Sequence, residues 1–151
     1  MKSALIVYAS LSGNTEEVAE LIVDELVRSG VSVDTHRIGL GNCLPNPGNY
    51  DAMFIGSYTW ARGSTPGEVK DFAADLRYKP TPVYAFGTGD TQFGGDEYFC
   101  AAAVKLARFY NSPVPPLKIE QSPRGKQENK VRKWVKGVLL IDGNTDQSES
   151  T

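Results

Sequence analysis

The 151-residue chain contains one histidine, two cysteines and no apolar run near the ~18 residues that a membrane span requires. A single His36 leaves a Ser-His-Asp triad or a multi-histidine metal centre without its parts. It stands in an alternating stretch that reads as an edge strand, and is expected to be a plain surface residue. Cys43 and Cys100 are too few and too far apart for a disulfide framework, so reduced thiols and a cytoplasmic location are expected. Cys43 has no cationic or histidine neighbour to make it a nucleophile. Met1-Lys2-Ser3 leads straight into an apolar segment, so no signal peptide is expected. With 40% apolar and 23% charged residues, the composition is that of an ordinary one-domain globular protein.

Two further absences mark the stretch around which the chain is organised. Leu5-Ile6-Val7-Tyr8 reads as a strand that stops at Ala9, and a helical pattern begins at once with Val18, Ala19, Leu21, Ile22 and Leu26. Between them lie Ser10, Leu11, Ser12, Gly13, Asn14 and Thr15, five of the six small or hydroxylated. This loop has no lysine, unlike a Walker A loop, and no second glycine spaced as in a dinucleotide fingerprint. A triphosphate normally needs a cation, whereas backbone N–H groups, hydroxyls and a helix N-terminus can hold a lone phosphate monoester. The plainer reading is a capped helix, since Ser12 or Asn14 suits an N-cap and Glu16 and Glu17 suit the first turn.

The remaining periodicities give alternating strands and helices. Strands are expected at 3–8, 31–36, 52–56, 82–86 and 115–120, and helices at 15–29, from Pro66 to about 76, 97–110 and 127–141. Gly30 reads as a C-terminal stop. Val69, Phe72, Ala73 and Leu76 form an inner stripe, as do Val131, Trp134, Val135, Val138 and Leu139. Such alternation implies an α/β, doubly wound, five-stranded parallel sheet with helices on both faces. One domain is expected over 1–142, with a frayed polar tail at 143–151. Charge is uneven, at net −4 over residues 1–117, +5 over 118–136 and −3 over the rest. The basic segment reads as a solvated helix face, with docking as the alternative.

Ligands of such sheets bind at the carboxyl ends of strands. Three loops meet at that edge, over 9–15, 57–66 and 88–98. The second carries Trp60 and the third carries Phe93 and Tyr98 among glycines. Large aromatics on such loops have little core to fill and suit a flat ligand, unless they pack on each other. A phosphate site flanked by aromatic plates describes a mononucleotide with a planar heterocycle.

Ser10-Leu11-Ser12-Gly13-Asn14-Thr15 resembles the Thr/Ser-x-Thr/Ser-Gly-Asn-Thr phosphate loop of flavodoxins. Gly56-Ser57-Tyr58-Thr59-Trp60 resembles their second loop, and Gly87-Thr88-Gly89-Asp90 followed by Phe99-Cys100 resembles their third. The similarity runs from residue 3 to about 141. It implies strand order 2-1-3-4-5, one non-covalent FMN and a short-chain type. Ser10, Ser12, Asn14 and Thr15, with the loop amides of Leu11 and Gly13, would hold the phosphate. Trp60 would cover one ring face and Phe93 the other, with Tyr98 as the substitute. Thr88, Gly89 and Asp90 would border the pyrimidine edge, and the backbone from Ser57 and Tyr58 through Thr59, Ala61 and Gly63 would run past flavin N5. Cys100 would adjoin the flavin or simply pack.

One departure carries a consequence. Many relatives have Gly-Asp-Gly-Glu after the tryptophan, where this chain has Ala61-Arg62-Gly63-Ser64. Arg62 in place of carboxylates should favour the anionic two-electron-reduced flavin and make the second potential less negative. The resemblance implies a monomeric, low-potential electron shuttle, fed by a reductase and passing electrons singly to redox enzymes. It is not expected to bind nucleic acid or membranes. Glu68, Asp90, Asp96 and Glu97 would face a basic patch on the partner. The alternative on the same fold is an FMN-dependent NAD(P)H or quinone-type reductase. A phospho-receiver domain is rejected, because Ala9-Ser10 and Ser57-Tyr58 stand where its aspartates belong.

Overall fold

A computed structural model describes residues 1–40, 43–59, 63–80, 82–90 and 99–149, with side chains described as far as residue 143. Five strands, β1 (Ser3–Tyr8), β2 (Ser32–Arg37), β3 (Ala52–Tyr58), β4 (Val83–Gly89) and β5 (Leu117–Glu120), form one parallel sheet in the order β2-β1-β3-β4-β5. The described helices are α1 (Asn14–Arg28), α2 (Gly67–Leu76), α3 (Ala101–Phe109) and α4 (Lys126–Glu149).

The three inner strands are almost wholly apolar through their middles, at residues 4–7, 52–55 and 83–86, because both faces are covered there. Side chains alternate across the sheet. Ile6, Phe54 and Tyr84 point to one face, where Val18, Ile22 and Leu26 of α1 and Val131, Val135 and Val138 of α4 close over them. Leu5, Met53, Ile55 and Val83 point to the other, under Val69 and Phe72 of α2 and Leu106 of α3. The stripes read from periodicity are those the helices bury, with Trp134 and Leu139 partly buried at the margin. Gly30, at φ +86°, ends α1 in the left-handed conformation that glycine adopts without strain.

Several boundaries differ from expectation. β3 continues through Ser57 and Tyr58, and β4 through Gly87, Thr88 and Gly89, because Ser57 and Tyr58 pair with Gly87 and Thr88 and Gly89 pairs with Glu120 of β5. α3 begins at Ala101 rather than near residue 97, after Cys100 in a left-handed conformation at φ 52°. α4 runs on to Glu149, eight residues past the expected end, with Asp142 paired to the Met1 ammonium at 2.8 Å. His36 is half-buried rather than a plain surface residue. Its ring lies 6.5 Å from that of Phe72, and burial pulls its pKa below the usual imidazole value.

Candidate functional site

All five strands run parallel, so the segments following β1, β3 and β4 emerge at the same edge. The chain direction of the crossovers reverses between β1 and β3, which places the first two of these segments on either side of the switch point.

The first segment turns within a few residues. Ala9 donates its N–H to Gly56 O at 3.0 Å, holding the strand end against β3. The Ser10 hydroxyl then accepts from the amides of Gly13 (3.2 Å) and Glu16 (3.3 Å). Gly13 sits at φ +93°, which a side chain would strain, and directly precedes the first residue of α1. Gly13, at the N-cap position, has no side chain to cap the helix, so Ser10 supplies the side-chain acceptor, to Glu16 N. Among the described residues, the amides of Ser12, Asn14 and Thr15 donate to no protein acceptor. Together with the helix dipole they form an anion cradle with no lysine or arginine inside the loop itself.

Thr15 turns its side chain inward, where its hydroxyl meets that of Thr88 at 2.8 Å in a buried contact. Its amide is therefore what it presents to the cradle. In this way the first segment is fixed to the end of β4. The second segment is tied down as well. The Ser57 hydroxyl donates to Tyr58 O (2.7 Å), and the Tyr58 hydroxyl donates to Glu68 Oε1 (2.9 Å). Burial and the Glu68 carboxylate hold the Tyr58 phenol above its ordinary pKa. The Thr59 hydroxyl accepts from Ala102 N (3.2 Å) at the start of α3, and Gly63 O accepts from Lys105 Nζ (2.9 Å).

The third segment shows why its glycines are there. A Cβ on Gly87 would press on Ala103 and on Ser57 O, and one on Gly89 would press on Cys100 N. Their lack of a side chain lets Cys100 and α3 pack directly against the end of β4. Cys100 is fully buried, with its Sγ 3.6 Å from both Gly87 O and Ile119 O. Burial pushes its thiol up to about 12. It pins the start of α3 between β4 and β5. Asp90 Oδ2 accepts from Gln121 Nε2 at 3.2 Å, and Gln121 N donates to Gly89 O at 2.8 Å.

Ser10, Leu11, Ser12, Gly13, Asn14, Thr15, Ser57, Tyr58, Thr59, Gly63, Thr88, Gly89 and Asp90 thus belong to the three segments that share this edge. Trp60, Ala61, Arg62, Phe93, Asp96, Glu97 and Tyr98 lie outside the described residues. Sequence reasoning missed two residues. Gln121 at the end of β5 bonds to both Gly89 and Asp90. Arg37 at the end of β2 reaches Glu16 Oε2 at 2.7 Å and Ser10 O at 3.1 Å. The only sequence signal for Arg37 was a basic residue closing an alternating strand.

The family model described as Flavodoxin matches residues 6–112. "Probable flavodoxin 2" of Bacillus subtilis is 32% identical, over 87% of this chain and 90% of that protein. The solved structure of a short-chain flavodoxin associated with a bacterial microcompartment superposes with a TM-score of 0.82. It is 26% identical, covering 94% of this chain and 99% of the other. A Fusobacterium nucleatum flavodoxin bound to flavin mononucleotide gives a TM-score of 0.76 at 16% identity, covering 93% and 99%, a likeness of fold.

Proposed function

Because the chain belongs to the flavodoxin family, we propose that it is an electron carrier that holds one FMN non-covalently at the edge formed by β1, β3 and β4. The observation that carries this reading is the set of acceptor-free amides at Ser12, Asn14 and Thr15, in a loop without a cation. That donor set fits a phosphate monoester, the group by which FMN differs from riboflavin.

In this reading the amides of Leu11, Ser12, Asn14 and Thr15 and the hydroxyls of Ser10 and Ser12 bind the phosphate, while Gly13, its amide held by Ser10 Oγ, shapes the turn. The Ser10 hydroxyl already accepts from two amides, and keeps its own proton to donate outward. Asn14 adds a side-chain amide. Residues 57–61 and Gly63 run along one side of the ring system, and Thr88, Gly89 and Asp90 along its pyrimidine edge. Trp60 and Phe93, or Tyr98 in its place, cover the ring faces and exclude water. Cys100 acts from below, as the anchor of the third segment. When bound, FMN supplies one-electron redox chemistry between a two-electron donor and one-electron acceptors. The chain adds no acid–base pair of its own, and its turnover depends on a reductase and acceptor proteins. Residues 1–142 make up the FMN-binding unit, supported by the last core residues of α4, Val138 and Leu139. Residues 143–151 are an appended polar segment. We place the protein in the cytoplasm as a monomer.

Titration with FMN and with riboflavin tests the site, and spectroelectrochemistry of the loaded protein tests the function. Tighter binding of FMN and two resolved one-electron waves, without NAD(P)H oxidation by the protein alone, is the expected result. A single two-electron wave with NAD(P)H turnover makes the protein a reductase instead. Equal affinity for the two flavins removes the phosphate assignment.

A further inference from the structure

We propose that Arg37, which lies outside all three segments of the site, is the positioning residue of the phosphate cradle and cancels the charge of Glu16 beside it. This inference rests on the FMN reading for its ligand. It rests on the geometry around Ser10 for its substance.

Three contacts close a ring. Ser10 Oγ accepts from Glu16 N, the Glu16 carboxylate pairs with Arg37 Nη1, and Arg37 Nη2 donates to Ser10 O. Each member thereby fixes the other two. Ser10 Oγ also accepts from Gly13 N, so the ring extends to the left-handed turn that aims the following amides outward. Arg37 comes from an edge strand whose register with β1 is set by pairing along its whole length, up to Tyr8 opposite Arg37. The loop is thus braced by an element that does not depend on the ligand. A planar guanidinium that spans a carboxylate and a carbonyl loses less freedom per bond than an exposed lysine pair would.

The charge argument is independent of the bracing. Glu16 and Glu17 in the first turn of α1 favour the helix itself, because they face its positive end. That same end must receive a phosphate carrying close to two negative charges. A free Glu16 carboxylate would repel it. At 2.7 Å, with the arginine side chain 33% exposed and the glutamate 34%, Arg37 offsets that charge locally. The loop lacks a cation of its own, and this one stands behind it.

The test compares FMN with riboflavin, which has the same ring but no phosphate. Arg37→Met is expected to weaken FMN binding about tenfold or more, the scale of one charge-assisted contact, while riboflavin affinity stays within about twofold. Arg37→Lys should recover part of the loss, and so should Glu16→Gln placed on Arg37→Met, because it removes the charge left unpaired. In the FMN-free protein, the amides of Gly13 and Glu16 should exchange with deuterium about tenfold faster in Arg37→Met, with strand amides unchanged. An equal loss for both flavins would make Arg37 a general structural residue, and no loss with unchanged exchange would overturn the proposal. Wild-type protein that binds neither flavin refutes the FMN reading alone, and the exchange comparison then still decides whether Arg37 braces the loop.

Discussion

The hydroxyls of Thr15 and Thr88 meet at 2.8 Å between the first turn of α1 and the carboxyl end of β4, both residues at most 4% exposed. Thr88→Val keeps the shape and leaves the Thr15 hydroxyl buried without a partner, which costs about 1–3 kcal/mol. The double variant Thr15→Val/Thr88→Val should be less destabilised than the two single losses summed. Urea unfolding of the four proteins gives the coupling directly. A coupling near zero would mean that the contact contributes nothing.

Gly56 faces Phe86 across β3 and β4, and a Cβ on it would lie only 2.1 Å from Phe86 Cε2. Phe86 is fully buried, so it has nowhere to move. Gly56→Ala should therefore cost about 3 kcal/mol or more, at the upper end of overpacking penalties. Phe86→Leu on that background should recover part of the loss, although it destabilises the parent protein. Thermal melting of the two backgrounds decides this. A Gly56→Ala protein as stable as the parent would show that the strands can part at little cost.

The two thiols should react very differently. Cys43 is exposed, whereas Cys100 is fully buried between two carbonyls with its ionisation pushed up to about 12. Only thiolates attack alkylating reagents or disulfides. Titration with an aromatic disulfide at pH 8 should count one fast thiol in the native protein and two after unfolding. Cys43→Ser should remove the fast one. A second thiol reacting at a similar rate in the folded state would mean that the β4–β5 edge opens readily.

Much of this fold is legible in the sequence because each signal there is local. Apolar runs such as Leu5–Val7 and Ala52–Ile55 announce strands covered on both faces, and the stripe Val131, Val135, Val138 announces a helix that closes over them. The first binding segment is legible for the same reason, since strand, polar turn and helix start follow within a dozen residues. What depends on two distant elements meeting is not legible. The packing that needs glycine at 87 and 89 comes from Ala103 and Cys100, in and just before a helix that starts a dozen residues later. The inward turn of Thr15 depends on Thr88, and the role of Arg37 on β2 lying beside β1. The ends of β3 and β4 were missed because Ser57, Tyr58, Gly87 and Thr88 have loop-like composition. Their pairing with one another makes them strand.

Part of the basic segment 118–136 pairs within the molecule. Arg132 of α4 reaches Asp24 Oδ2 at 2.8 Å and Glu25 Oε2 at 3.0 Å on α1, and Glu128 Oε1 at 3.3 Å on its own helix. Lys136 adds a contact to Glu25 at 3.6 Å, and the Glu25 side chain is only 8% exposed. Three acidic groups thus gather round one arginine, so removing it leaves the poorly solvated Glu25 carboxylate with only Lys136 beside it. Arg132→Met should cost about 2 kcal/mol, less than the loss of a fully buried pair because Asp24 and Glu128 can still reach water. Glu25→Gln on that background should recover part of the loss, since it removes the least solvated charge. The penalty of Arg132→Met should also shrink as salt rises, because salt screens the repulsion left behind. FMN affinity should not change, as α4 contributes nothing to the three segments of the site. Urea midpoints at low and high salt, read beside an FMN titration, check both halves. Stability unaffected by Arg132→Met would return the segment to the solvent, and its positive charge would then be free for a docking partner.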